Sequence, residues 1–83
     1  TFDALHAGLD RLTRAELRIV AMLADNLTSA QIADKLGVSV RTVQNHRAHV
    51  CEKLALSGAN RLLQVALENK DRILAIIRAD DAL

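Results

Sequence analysis

An all-α fold is what this sequence predicts, and three observations carry it. Pro, Trp and Tyr are absent, glycine occurs only as Gly8, Gly37 and Gly58, and Ala and Leu supply 14 residues each, a composition that favours helices and gives a sheet little to pack with. Apolar residues recur at spacings of three and four rather than two. Capping residues and glycines, rather than Pro- or Ser-rich linkers, divide the segments, and there is no repeat or low-complexity tract. The expectation is four short helices over residues 12–68, with extra helical segments over 1–11 and 69–83.

Taken in order, Phe2, Leu5 and Leu9 at i, i+3 and i+7 predict a short leading helix closed at Gly8 or soon after. Thr13 stands three residues ahead of Glu16, a capping box in which the hydroxyl satisfies one free N–H and the carboxylate returns to another. Leu12, Ile19, Val20, Leu23 and Ala24 give the helix that follows an apolar face, and Asn26 can take the left-handed conformation that ends it near Asp25. A second box, Thr28 with Gln31, opens a helix of barely two turns with Ile32, Ala33 and Leu36 on its apolar side. Gly37 suits a sharp left-handed turn, Val38 is placed to plug the angle between helices, and Ser39 is a good N-cap. Two helices joined by a short turn containing Gly make a helix-turn-helix.

The next helix, expected over 40–55, can be tested by geometry at about 100° per residue. With Val43 at zero, Arg47, Val50 and Leu54 fall within about 40° of it, a buried stripe with Arg47 snorkelling at its edge. Arg41, Gln44, Asn45, Ala48 and Glu52 fall between about 100° and 200°, on the opposite side. A fourth helix is expected over 61–68, and from it to the C-terminal end Leu62, Leu63, Ala66, Leu67, Ile73, Leu74, Ile76 and Ile77 are more apolar than a tail in water tolerates. Either the two ends of the chain pack on each other in one monomer, or Leu63, Leu67, Leu74 and Ile77 form the seam of a homodimer.

Composition narrows the function. A chain of 83 residues makes one small domain, and it shows no Gly-rich phosphate loop, nucleophile elbow or paired-carboxylate pocket, so an enzyme is not expected. Phe2 is the only aromatic residue, whereas single-strand binders and sheet-based RNA readers stack bases on exposed aromatic side chains. No apolar run approaches the roughly 20 residues of a membrane helix. The single Cys51 and the lack of a signal segment point to a cytoplasmic protein, and a start at Thr1 rather than Met to a processed product or a piece of a longer chain. The net charge of +1 conceals an uneven distribution. Between 35 and 61 lie Lys35, Arg41, Arg47, Lys53 and Arg61 against the single Glu52, a local +4 that leaves −3 for the rest.

A basic middle of this kind suits a polyanion, although a solvated helix face gives similar counts. An α-helix fits the major groove of duplex DNA, where an amide side chain can bond bidentately to the N6 and N7 of adenine. Gln44 and Asn45 suit that role, Arg41 can reach guanine or a phosphate, and Ala48 can contact a thymine methyl. The plainer reading is that these side chains keep an exposed face soluble. Against it, the capped helix and glycine turn hold the helix proud of the body. Phosphates can be held at the start of the short second helix, around Thr28 and Ser29, and by Lys35, Thr42, Arg47 and Lys53, with His46 either flanking the core or touching a phosphate.

The stretch from Leu12 to Leu54 resembles the LuxR/FixJ-type helix-turn-helix of bacterial transcription regulators, through Leu12-Thr13 with Glu16, Gln31-Ile32-Ala33, Ser39, Thr42-Val43, Asn45-His46-Arg47 and Lys53-Leu54, and more loosely on to Glu68. The resemblance implies that the third helix enters the major groove with Gln44, Asn45 and Ala48 at its base-reading positions. It implies a dimer contact on the fourth helix, an inverted-repeat operator in double-stranded DNA, and RNA polymerase as a candidate partner. The chain departs from the family's usual pattern at Ala30, where Lys is frequent, at Arg18, where Glu is frequent, at Asn60-Arg61, where Thr-Glu is common, and at Ala48, which is small for a reader.

The rival readings are a sigma-factor region-four-like promoter-binding domain, which shares the helix-turn-helix but usually lacks the short fourth helix, and a helical protein-interaction module without specific DNA reading. A metal site through His46, His49 and Cys51 is not expected. Structural zinc needs about four converging ligands, and the vectors of His49 and Cys51 diverge by about 160°. Cys51 is expected to be a partly buried packing residue, and no cofactor is implied.

Overall fold

The computed structural model describes residues 8–57 and 59–82. Residues 8–10 are helical, and α1 (Arg14–Ala24), α2 (Ser29–Leu36), α3 (Val40–Lys53), α4 (Ala59–Glu68) and α5 (Lys70–Ala82) follow. All regular structure among the described residues is helical. Phe2 and Leu5 of the expected leading helix lie outside the described residues, while Leu9 is fully buried. At Gly8 the chain passes close to the end of α3: a Cβ there would stand 2.6 Å from Cδ2 of Leu54 and 3.3 Å from Lys53 O, so the Leu54 side chain would have to shift.

Both capping boxes form. Thr13 N–H donates to Glu16 Oε1 at 2.8 Å and Glu16 N–H to the Thr13 hydroxyl at 3.1 Å. The same bonds join Thr28 and Gln31. α1 ends with Asn26 at φ +64° and α2 with Gly37 at φ +69°. In each case the next N–H reaches back five residues, Leu27 to Met22 and Val38 to Ala33, which satisfies carbonyls that the helix end would otherwise leave open. Ser39 caps α3 by accepting from Thr42 N–H.

Three expectations change. α3 stops at Lys53 rather than 55, because Ala55 takes φ +55° and Leu56 N–H closes on Cys51 O. α4 starts two residues earlier than expected, at Ala59. Val38 does not plug the angle between α2 and α3: it is 41% exposed, whereas Ile32 of α2 and Val43 of α3 are fully buried.

The core centres on α1, which packs against α3, α4 and α5, while α2 packs mainly on α3. Leu17, Ile19 and Val20 of α1 join Ile32, Val43, Val50, Leu62, Ala66 and Ile73 in one buried cluster that also takes in Leu9. Ile73 brings the C-terminal extension into this cluster, with Ile76 and Ile77 packed against it in part. Only Asn69 separates α4 from α5, and its side-chain amide donates to Val65 O at 2.9 Å. Lys70 ties the start of α5 to the end of α1 through Asp25 at 2.7 Å, and that partner raises the lysine's pKa above its ordinary value.

Candidate nucleic-acid interface

The fold sorts the side chains of α3 by azimuth. Val43 and Val50 have no exposed surface, and Arg41, Gln44, Asn45 and Ala48 are all exposed on the opposite side. The short α2, anchored by Ile32 and Ala33, braces one side of α3 and leaves that outer face uncovered. Its only charged side chains are Arg41 and Glu52, so the face presents amides, a methyl and one guanidinium.

The candidate phosphate ligands other than Lys53 divide into three groups. Arg47, half-buried at the edge of the core stripe, sends Nη1 to the Ser29 hydroxyl at 2.6 Å. Both line a depression of about 320 Å³ with Asn26, Thr28 and Asn60 at the start of α2. The first turn of α2 has N–H groups without helical partners, and a guanidinium beside it gives an arrangement chemically suited to an anion. Lys35 is exposed in the last turn of α2. On the other flank of α3, Thr42 and His46 are half-buried and line a groove against α1.

Lys53 is placed differently from the rest. Its ammonium donates to Glu16 Oε1 at 2.7 Å and to Arg11 O at 3.4 Å, and Arg11 in turn donates to Lys53 O at 2.7 Å. Glu16 is the one buried charged residue among the described residues, 3% exposed. Burial pushes its carboxyl up, but the hydrogen bonds from Lys53 and Thr13 and the lysine's charge outweigh this and hold it below the ordinary carboxylate range. The cation thus completes the α1 cap from 37 residues away.

The seam candidates do not share one environment. Leu63 and Ile77 pack partly on the core, Leu74 is half-buried, and Leu67 is 46% exposed. Cys51 is half-buried against the core. Among the described residues no cluster of His, Cys, Asp and Glu could hold a metal ion, and no helix is long and apolar enough to cross a membrane.

Sequence reasoning did not single out Asn60 as a neighbour of Arg47 and Ser29, nor Arg14 and Arg18 as neighbours of Thr42 and His46. No local signal carries those proximities, because they join separate helices.

Comparison with known proteins agrees with this architecture. The family model described as bacterial regulatory proteins, luxR family, matches residues 10–66. The oxygen regulatory protein NreC of Staphylococcus carnosus (strain TM300) is 39% identical over 59 residues, which are 71% of this chain and 27% of that protein. The same protein name from Staphylococcus aureus (strain JH9) matches with the same identity and coverage. The chain therefore spans about a quarter of the length of these relatives. No solved structure matches it. With more than half of its residues inside the family match and its two capped helices set around a glycine turn, the chain belongs to the luxR family of bacterial regulatory proteins and carries that family's helix-turn-helix DNA-binding domain.

Proposed function

We propose that this domain is the effector unit of a transcription regulator and reads duplex DNA by placing α3 in the major groove. Gln44 and Asn45 take the adenine-type contacts, Arg41 a guanine or a flanking phosphate, and Ala48 a thymine methyl. Ser29 and Arg47, with Thr28 beside them, hold one backbone strand; Lys35, Thr42 and His46 add contacts around the reading helix. Lys53 serves the fold through Glu16 in this reading and is not counted among them.

The observation that carries this reading is the polarity of α3. Its four candidate readers are exposed together while Val43 and Val50, on the reverse side, are wholly buried. Such a helix is anchored to the body through Val43 and Val50 and presents polar groups that no other described residue engages. Two copies related by a two-fold axis would meet an inverted repeat, with α4 and α5 as the pairing surface through Leu67 and Leu74, supported at its edges by Leu63 and Ile77. The relatives are named as oxygen regulatory proteins, and a regulatory role of that kind is the setting in which we place the domain.

The test begins with selection of bound sequences from a random duplex pool, where an inverted repeat is the expected product. On the selected site, Gln44→Ala with Asn45→Ala is expected to lower specific affinity by about 10-fold or more while non-specific binding stays within about 2-fold, since each good bidentate contact is worth about 1–3 kcal/mol of discrimination. Equal losses on selected and scrambled duplexes would show that these residues do not read bases.

A further inference from the structure

We infer that α1, which lies outside the helix-turn-helix pair, supplies a second backbone-binding site, with Arg18 as its principal phosphate ligand and a DNA phosphodiester as its occupant. The inference rests on the reading of α3 as the helix in the major groove.

A groove of about 300 Å³ runs between α1 and α3. Arg14 and Arg18 stand on its α1 side and Thr42 and His46 on its α3 side, each pair four residues apart and so on one face of its helix. Ile19, 1% exposed, forms an apolar floor, and Val38 borders the groove. No residue lining it is acidic. By contrast, the depression beside Arg11 and His49 includes Glu52, and the one around the α4–α5 junction includes Glu68 and Asp71. The α1–α3 groove therefore sets the Arg18 guanidinium, with Arg14 beside it, against a hydroxyl and an imidazole, and no carboxylate is among the residues that line it, a donor set suited to a phosphodiester.

Its position fits the same ligand. An α-helix with its side chains is about 10–12 Å across and the major groove about 12 Å wide, so each flank of an inserted helix faces one phosphate strand. Relative to Val43, Arg47 lies at about +40° and leads to the Ser29 site, whereas His46 and Thr42 lie at about −60° and −100°. The two basic depressions thus lie on opposite flanks of α3, and the second one needs α1 to complete it. Arg18 is exposed and is not part of the buried core cluster, so its replacement removes no core residue.

The test is a salt titration of duplex binding for the intact domain, Arg18→Ala, Arg18→Glu and the control Arg78→Ala, which removes one positive charge from α5 outside the groove. Thermal melts of all four check that the fold is kept. Loss of one phosphate contact lowers the slope of log K against log salt by about 0.9, so that the deficit of Arg18→Ala shrinks by about 3.5-fold between about 50 mM and about 200 mM salt. Arg18→Glu is expected to bind more weakly still, Arg78→Ala to keep the parent slope, and base preference to be the same in all. A neutral methylphosphonate placed at successive backbone positions should lower the affinity of the parent at one position per half-site where Arg18→Ala is indifferent. A parent slope in Arg18→Ala, with no position of indifference, overturns the inference while leaving major-groove reading intact. Absence of salt-dependent binding by the parent domain sinks both.

Discussion

The two capping boxes, Thr13 with Glu16 and Thr28 with Gln31, have the same local geometry and different work. Each pair makes one bond of 2.8 Å and one of 3.1 Å. Glu16, however, is buried and also accepts from Lys53, whereas Gln31 is exposed and bonds only within its own box among the interactions described above. The first box therefore fastens the start of α1 to the end of α3. The second only starts a helix, and leaves the neighbouring Ser29 to Arg47 on the side proposed to face DNA. One motif can thus lock two helices of a fold together or open a binding surface, depending on whether a distant residue converges on its third helical position.

Breaking the first box from its distant side should show the largest effect. Lys53→Ala leaves a buried carboxylate with its Thr13 bonds but no counter-ion. Loss of one partner of a fully buried pair costs about 3–5 kcal/mol, and because the lysine side chain is 34% exposed, so that water replaces part of it, about 2 kcal/mol is expected here. Urea melts measure this directly. A loss below about 0.5 kcal/mol would mean that water serves Glu16 as well as the lysine does.

The next effect is smaller and depends on pH. The Glu16 carboxyl is held below its ordinary pKa in the folded domain, so its contribution is complete above the ordinary carboxylate value and is lost as pH falls through the folded value. Glu16→Gln keeps an acceptor for the Thr13 N–H but cannot titrate. It should cost about 1 kcal/mol at neutral pH, the difference between a charge-assisted and a neutral bond, and the cost should vanish in acid. Parallel acid limbs for the two proteins would place the titrating group elsewhere.

What the sequence disclosed follows the same division between local and distant causes. Thr13, Thr28 and Ser39 as caps, Asn26 and Gly37 as left-handed stops, and the outward face of α3 are all set within a few residues of chain, and each was legible. The end of α3 was not, because the left-handed position there is held by Ala55. That conformation costs an L-residue about 1–2 kcal/mol and gives alanine no signal to display. The bonds of Leu56 and Ala55 back to Cys51 and Glu52 offset it. Lys53 read as a phosphate ligand because it follows a polar face, and its tie to Glu16 spans 37 residues. The Ser29–Arg47 pair spans 18, and the separate residues were legible as candidates while their meeting was not. Whether the apolar C-terminal end packs on its own chain or forms a seam was open in the sequence, and it divides between Ile73 in the core and Leu67, 46% exposed.

The smallest effect belongs to the second box, and its size is what makes the comparison informative. Gln31→Ala removes the acceptor for the Thr28 N–H at an exposed position, where water takes its place, and alanine's helix propensity recovers part of the loss. A cost of about 0.5 kcal/mol or less in a urea melt, independent of pH between about 4 and 8, is expected. The Thr28 hydroxyl still accepts from the N–H of residue 31, so α2 keeps its start and its first turn stays beside Arg47. Duplex affinity should then change by less than about 2-fold. A cost as large as that of Lys53→Ala would show that the local bonds, which the two boxes share, carry as much stability as the link from Glu16 to Lys53.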